Sequence, residues 1–93
     1  MHYIYRGMLM TKNNFKSETN YMLMKNIIET IATNTKYYRE KKNLKTYEVA
    51  KRMDTARQSY ERLERKETNP TIGFLERTAK ALGVGVADLV TER

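Results

Sequence analysis

The sequence predicts an all-α fold, a bundle of four to five short helices that follows an N-terminal extension. From Ser17 onward, apolar residues recur at the three- and four-residue spacing of helices, and no alternating strand pattern follows. Residues typical of helix ends divide this part of the chain into short segments. At 93 residues, the chain has room for one small domain, to which a second subunit could add stability.

Residues 1–18 are predicted to form an extension separate from the helices. Two short apolar runs, residues 3–5 and 8–10, lie on either side of Arg6 and Gly7. This pattern is typical of a β-hairpin in which Gly7 supplies a positive φ. A partly disordered tail explains the same residues equally well, because a lone two-stranded hairpin is marginally stable in water. An ordered hairpin would need cover, for which a second subunit is the natural source, so the extension is a candidate dimerisation arm.

An extended first helix is predicted to open the helical domain, residues 19–93. Its apolar side chains recur every three, four or seven residues, and they are Tyr21, Met24, Ile28, Ile31 and Tyr38. Thr33, Asn34 and Thr35 are weak helix formers. The pattern therefore allows one helix over about 19–42 or two helices that meet near 32–34. Core packing is the ordinary interpretation of the apolar row, and a dimer interface is the alternative.

Two short helices joined by a tight turn are predicted next. Asn43 ends the first helix, and a turn at Asp54 and Thr55 separates a helix over Thr46–Arg52 from another over 56–66. The apolar residues of this unit are predicted to face inward, and they are Leu44, Val49, Ala50, Met53, Tyr60 and Leu63. Helix pairs of this kind are common, so the arrangement alone does not identify a function.

The last part of the chain predicts two more helices. Pro70 disfavours helix in the residue before it, and Thr71 can cap a helix that runs to about Leu82 and stops at Gly83. The side chains that this helix is predicted to bury are Ile72, Leu75, Ala79 and Leu82. A final short helix over Val86–Val90 presents Leu89 and Val90.

Basic charge is concentrated in one third of the chain. The whole sequence has 18 Lys and Arg against 11 Asp and Glu, for a net charge of +7. Residues 36–66 hold eleven basic and five acidic residues, a net +6 within that segment. Such a distribution suits a surface that meets an anionic partner, either nucleic acid or a membrane surface.

Several functional classes are disfavoured by residues that the sequence lacks. The chain has no cysteine, its one histidine is His2, and it has no glycine-rich phosphate loop or pattern of paired carboxylates. No apolar run approaches the roughly 18–20 residues that span a bilayer, and the first residues make a poor signal peptide. We therefore expect a cytoplasmic protein that is not an enzyme, has no cofactor or metal, and does not bind membranes.

The residues between Leu44 and Leu89 also carry a more specific pattern. Those that form it are Leu44, Val49, Ala50, Tyr60, Arg62, Leu63, Glu64, Asn69, Pro70, Ala79, Leu82, Gly83, Val84 and Leu89. On these residues, the chain over about 28–91 resembles the lambda-repressor-like (Cro/C1-type, XRE) helix-turn-helix family, which includes phage repressors and Cro proteins. The resemblance implies a lambda-repressor-like bundle in which Arg39 pairs with Glu64.

Some positions depart from the usual pattern of that family. Asp54 stands where the family has a turn glycine, and it can adopt a left-handed conformation at modest cost. Lys45 and Thr46 replace the usual Thr-Gln, so the phosphate contact of that Gln comes from Thr46 or is lost. Ala56 is the cap before the third helix, unless Thr55 takes this place through a shift in register.

The resemblance implies that the helix over 56–66 is a recognition helix, which would lie in the major groove of DNA. With its apolar residues buried, helical periodicity exposes Arg57, Gln58 and Glu61. Arg57 could donate two hydrogen bonds to guanine, and Gln58 could pair with adenine. A solvated helix face is the alternative interpretation of the same residues. The predicted base-reading residues are Arg57, Gln58, Ser59 and Arg62.

Phosphate contacts are predicted on both sides of this helix, and they position a protein without reading bases. The predicted phosphate-binding residues are Lys45, Thr46, Tyr47 and Asn69. One such domain reads only a few base pairs, so we expect a homodimer on an inverted repeat whose half-sites lie roughly 34 Å apart. Its interface could use Val86, Leu89 and Val90 of the last helix, or the N-terminal extension.

The predicted function is that of a sequence-specific regulator of transcription that binds double-stranded DNA, with repression as the expected mode. The alternative is an antitoxin or a protein-interaction module, whose N-terminal segment binds a protein partner while the helix-turn-helix serves autoregulation.

Overall fold

The computed structural model describes the backbone of residues 2–5, 8–11 and 18–93 and the side chains of residues 26–93. Within these ranges the elements are β1 (His2–Tyr5), β2 (Met8–Thr11), α1 (Glu18–Lys41), α2 (Thr46–Arg52), α3 (Arg57–Glu64), α4 (Ile72–Leu82) and α5 (Val86–Val90). The predicted all-helical bundle is confirmed over α1 to α5. None of the helices described is long and apolar enough to cross a membrane.

The two strands pair in the place where the sequence allows a hairpin. They run antiparallel, with Tyr3 opposite Met10 and Ile4 opposite Leu9. Of the two interpretations of this segment, the pairing favours the hairpin over the partly disordered tail. The predicted turn at Arg6 and Gly7 lies outside the described residues.

The first helix is continuous through its weak helix formers. Thr35 and Asn34 are both buried in α1. The Asn34 amide donates to the carbonyl oxygens of Leu89 at 3.0 Å and Thr91 at 2.8 Å. An asparagine that is bonded to another part of the chain no longer competes for the backbone of its own helix. Tertiary contacts thus override the local propensity, and of the two predicted arrangements the single helix forms.

The apolar row of α1 faces the bundle where its side chains are described. Ile31 is buried in a cluster with Leu63 of α3 and Leu75 of α4. Ile28 and Tyr38 are half-buried. Core packing is therefore confirmed for this part of the row, and the predictions for the Tyr21 and Met24 side chains lie outside the described ones.

The second core cluster joins α2, α3, α4 and α5. Its buried members are Val49, Ala50, Met53, Tyr60, Ala79, Leu82 and Leu89. Leu44 packs against this cluster from the loop before α2. Ala50 lies in the contact between α2 and α3, where a larger side chain would force the two helices apart. The inward-facing residues predicted for the two-helix unit are confirmed.

Left-handed residues follow four of the helices. Asn43 has φ 57°, Asp54 has φ 54°, Lys66 has φ 64° and Gly83 has φ 71°. Short polar side chains tolerate this conformation, so Asp54 replaces the glycine of the family without disrupting the turn. At Gly83 a Cβ atom would lie 2.5 Å from the Lys42 ammonium nitrogen. Gly83 is therefore favoured by its φ, because the flexible end of the exposed Lys42 side chain can move away from a Cβ atom.

The helix starts follow the predicted register. Ala56 is the N-cap of α3 and makes no side-chain hydrogen bond. The alternative cap at Thr55 is therefore not used. Thr71 caps α4, and its hydroxyl oxygen accepts from the Phe74 N–H at 3.1 Å.

Three expectations about the helices are wrong. Ile72 is 68% exposed rather than buried, because it is the first residue of α4 and the buried side of this helix begins at Leu75. Leu89 is fully buried in the core of its own chain, so it cannot form part of a dimer surface. The third helix ends at Glu64 and not at Lys66, which is left-handed with φ 64°.

A partly buried ion pair joins α1 to the end of α3. The Arg39 guanidinium donates to both carboxylate oxygens of Glu64, at 2.6 and 2.9 Å, and to the Leu44 carbonyl at 2.9 Å. Tyr60 donates its hydroxyl hydrogen to the same carboxylate. The hydrogen bond to Glu64 raises the pKa of Arg39, against the opposing effect of burial. The predicted pair is confirmed, and its main effect is to fix the orientation of α3.

Replacing Val49 with aspartate tests the assigned core. Val49 is fully buried, so Val49→Asp would bury a charge without a partner and cost about 3–5 kcal/mol. We expect loss of the helical circular dichroism signal at 37 °C. The exposed neighbour offers a matched control, Lys51→Asp, which should retain the signal. A folded Val49→Asp variant would show that the assigned core is wrong.

The Tyr60 hydroxyl gives the protein a characteristic response to alkaline pH. Burial, followed by the hydrogen bond to Glu64, raises the pKa of Tyr60 far above its ordinary value of 10.0. The folded state then holds the proton more tightly than the unfolded chain, so stability is lost as the pH rises above about 10. In a titration at 295 nm, one phenol should ionise only when the chain unfolds, and Tyr60→Phe should remove that phenol. The assignment fails if Tyr60→Phe removes a phenol that ionises near pH 10 in the folded protein.

Candidate nucleic-acid interface

The turn between α2 and α3 sets the direction of the third helix. The Thr55 N–H donates to the Ala50 carbonyl at 3.0 Å, and the Asp54 N–H donates to the Lys51 carbonyl at 3.0 Å. These bonds close the end of α2 around the left-handed Asp54. On α3, Tyr60 and Leu63 then point into the core, and the opposite side of the helix faces outward.

The four predicted base-reading residues are all exposed on α3. Gln58 and Arg62 lie one turn apart on the outward face, and Ser59 lies beside them. Arg57 is the first residue of the helix, and its side chain is 62% exposed. Guanidinium, amide and hydroxyl groups that can donate or accept hydrogen bonds therefore occupy one short surface at the start of α3.

A cleft of about 240 Å³ lies between α3 and the start of α4. Ser59 and Arg62 line one wall, and Thr68 and Asn69 line the other. The N-cap of α4, Thr71, also lines this cleft, so the positive end of that helix dipole is close by. The structure thus brings the predicted phosphate-binding Asn69 next to two of the predicted base-reading residues.

A second cleft, of about 520 Å³, lies on the other side of the α3 start. It is lined by Tyr47 and Lys51 of α2, by the turn between the helices, and by Arg57. Tyr47 is an exposed aromatic residue, whose hydroxyl can donate a hydrogen bond. A cleft therefore lies on each side of the α3 start, and each cleft is lined by one predicted phosphate-binding residue, Asn69 in the first and Tyr47 in the second.

Two hydrogen-bond donors at the start of α2 are bonded to carboxylates of the protein itself. Lys45 is the N-cap, and its N–H donates to the Glu48 carboxylate at 2.8 Å. The Thr46 hydroxyl donates to the Glu61 carboxylate at 2.8 Å. That hydroxyl hydrogen is therefore not available to a phosphate in this arrangement. The backbone N–H groups of Thr46 and Tyr47 have no acceptor within their own helix and can serve an anion.

Within this surface, Glu61 is less exposed than the sequence predicts. It was expected on the exposed face, but its side chain is only 25% exposed. One carboxylate oxygen accepts from Thr46 and lies 3.6 Å from the Arg57 Nε, and the other lies 3.9 Å from an Arg65 Nη1. The four-residue spacing of Arg57, Glu61 and Arg65 is a signal for such pairs. The contact with Thr46 depends on the α2–α3 packing and has no local signal.

Not all of the basic segment belongs to this surface. Arg39 is paired with Glu64 inside the bundle. Arg52 donates to the Ala81 carbonyl at 3.2 Å, and the Lys42 ammonium lies over Gly83. These two cations lie at the carbonyl end of α4, where positive charge is favourable. The exposed cations that line the two clefts beside α3 are Lys51, Arg57 and Arg62, and Lys45 is exposed at the start of α2.

Comparison with known proteins relates this geometry to a family. Residues 36–89 match a family model described as helix-turn-helix. The crystal structure of a hypothetical transcription factor, NHTF from Neisseria, matches with a TM-score of 0.71 and 26% sequence identity. The match covers 74% of this chain and 79% of that chain. No curated protein sequence matches the chain.

The matched family segment covers more than half of the chain, and it includes α2, the turn and α3 with its exposed polar face. The structural neighbour extends the likeness to most of the bundle. The chain therefore belongs to the Cro/C1-type (XRE) helix-turn-helix family of DNA-binding transcription regulators.

Proposed function

We propose that the protein is a sequence-specific repressor that binds an inverted repeat in double-stranded DNA as a homodimer, with α3 in the major groove. The observation that carries this proposal is the exposed start of α3, where Arg57, Gln58 and Arg62 lie between two clefts. The origin of the structural neighbour in Neisseria supports a bacterial or phage setting in the cytoplasm.

Base recognition is assigned to the first two turns of α3. Residues early in a recognition helix lie closest to the base edges. Arg57 has two terminal N–H groups that match the O6 and N7 acceptors of guanine, and the Gln58 amide matches adenine. Arg62 and Ser59 lie toward the cleft at Asn69, so they are assigned to bases or phosphates at that edge.

Phosphate binding is assigned to both sides of α3. On the α2 side, the ligands are the Lys45 ammonium, the Tyr47 hydroxyl and the first backbone N–H groups of α2. The Thr46 hydroxyl is bonded to Glu61, so the role of Thr46 is limited to its backbone. On the α4 side, Asn69 is an exposed residue beside the N-terminus of α4. Two strands of a major groove would then be held from opposite sides.

Dimerisation is assigned to the N-terminal extension and not to α5. Leu89 is buried and Val86 packs on the core, so Val90, which is 43% exposed, is the apolar side chain that α5 leaves accessible. By contrast, the pair of β1 and β2 leaves each strand with one edge that the other does not cover. Unpaired strand edges are ready sites for pairing with another chain. A second copy of the chain would supply the needed cover.

Selection of bound duplexes from a randomised pool tests this proposal. At about 150 mM salt, binding through phosphates alone is weakened. We expect enrichment of an inverted repeat, because two copies of α3 would lie about one DNA turn, roughly 34 Å, apart. A folded protein that enriches no duplex would contradict the proposal, and enrichment of a single half-site would contradict the homodimer.

Replacing Arg57 tests the assignment of base recognition. Arg57→Ala should cost about 1–3 kcal/mol of binding free energy to the selected duplex and relax preference at one base pair. Lys80→Ala is the matched control, since it removes one exposed positive charge from α4. This control should retain the preference at every position. A uniform loss over all duplexes in Arg57→Ala would show that Arg57 contacts phosphates only.

A further inference from the structure

An acidic side chain in the first two turns of a DNA-reading helix needs an explanation, because its charge opposes the approach of phosphates. Glu61 lies in this position on α3. We infer that Glu61 is a positioning residue, which holds the Arg57 guanidinium for base recognition and so sets the specificity at the base pair that Arg57 reads. The inference rests on the proposed function of α3.

The carboxylate of Glu61 is held from a neighbouring helix. Its Oε2 accepts from the Thr46 hydroxyl at 2.8 Å, and Thr46 is the first residue of α2. This bond joins the starts of the two helices across their contact. A carboxylate fixed in this way can act as a reference point for a longer and more mobile side chain.

Arg57 is the mobile partner of this contact. Its Nε lies 3.6 Å from the Glu61 carboxylate, and its side chain is 62% exposed, against 25% for Glu61. The contact recorded for Arg57 is at Nε, so its two terminal nitrogens, Nη1 and Nη2, can turn to a bidentate contact with guanine. Limiting the guanidinium to fewer positions before binding reduces the conformational entropy that binding would cost.

The charge of Glu61 also acts against the wrong contacts. An exposed arginine at the edge of a groove can reach a phosphate as easily as a base, and phosphate contacts carry no sequence information. A carboxylate beside Arg57 lowers the positive potential that a phosphate would experience. The same carboxylate lies 3.9 Å from Arg65, which caps the end of α3, so it offsets the charge of two cations. Affinity for arbitrary DNA falls more than affinity for the correct site, which is how a repulsive element raises specificity.

The test compares Glu61→Gln with a matched control, Glu67→Gln. The glutamine retains an acceptor for the Thr46 hydroxyl but removes the charge next to Arg57. Glu67 pairs with Arg65 at 3.2 Å, so the control removes the same charge near the same helix without touching Arg57. The duplexes are the selected operator, its single-base-pair variants and one unrelated duplex of equal length.

We expect Glu61→Gln to lose about fivefold in discrimination at the Arg57 base pair, the lower end of what a bidentate arginine contact provides. Its affinity for the unrelated duplex should rise by about twofold to threefold, since one repulsive charge is removed. Glu67→Gln should leave discrimination at this base pair unchanged. Equal discrimination in Glu61→Gln and the wild type would overturn the inference.

A double variant separates positioning from direct reading of a base. Carboxylates can accept a hydrogen bond from cytosine N4, so direct reading of a base pair by Glu61 is the competing interpretation. In an Arg57→Ala background, Glu61→Gln should cause no further change in base preference, because the two residues act through one contact. A change at a different base pair would overturn the positioning role. So would an equal loss of affinity for every duplex, which a purely structural role predicts.

A second variant approaches the same contact from α2. Thr46→Val keeps the shape of the side chain but removes the hydroxyl that holds Glu61. We expect partial loss of discrimination at the same base pair, with the helical signal retained. Retained discrimination in this variant would contradict the role of Thr46 in holding the carboxylate.

The outcomes distinguish this inference from the proposed function. If the wild-type protein enriches no duplex, the proposed function fails and the inference falls with it. If the wild-type protein selects an operator that Glu61→Gln and Thr46→Val read with unchanged discrimination, the proposed function stands and the inference alone is wrong.

Discussion

The structure depends most on the contact between Arg39 of α1 and Glu64 at the end of α3. A helix of eight residues, Arg57–Glu64, is too short to be stable alone, so its position is set by what it packs against. Tyr60 and Leu63 provide the apolar contacts, and the bidentate ion pair fixes the last turn to the longest helix. Because the pair is directional, it determines which way the helix faces as well as where it lies. The exposed side of α3 is the consequence.

The bundle assigns different roles to residues of the same type. Arg39, Lys42 and Arg52 lie in one strongly basic segment with Arg57 and Arg62. Arg39 pairs with a carboxylate in the bundle, and Lys42 and Arg52 lie at the carbonyl end of α4, while Arg57 and Arg62 lie on the exposed side of α3. Lys42 and Arg52 are exposed as well, so they still add to the positive field that attracts an anionic partner. The two arginines of α3 differ from them by their place on the helix-turn-helix, not by exposure.

Two neighbouring carboxylates on α3 bond to two different helices. Glu64 is half-buried beside Arg39 of α1, and this ion pair orients the helix. Glu61, three residues earlier, is partly exposed and contacts the start of α2 and the first arginine of α3. Each carboxylate accepts a hydrogen bond from another helix, so α3 is held to α1 at its end and to α2 near its middle. The recognition surface is thus supported from two directions.

The sequence alone determined the inward faces of α2 and α3 and the ends of α2 and α4, since apolar spacing and turn residues such as Asp54 and Gly83 are local signals. It also identified the exposed residues of α3 as the candidate site. Tertiary structure decided the rest. Asn34 stays helical because a partner 55 residues away accepts its amide hydrogen, Leu89 is buried because α5 packs on the core, and Glu61 is turned toward Thr46 by the α2–α3 contact. These outcomes depend on which groups meet across the fold, and spacing along one helix carries no information about that.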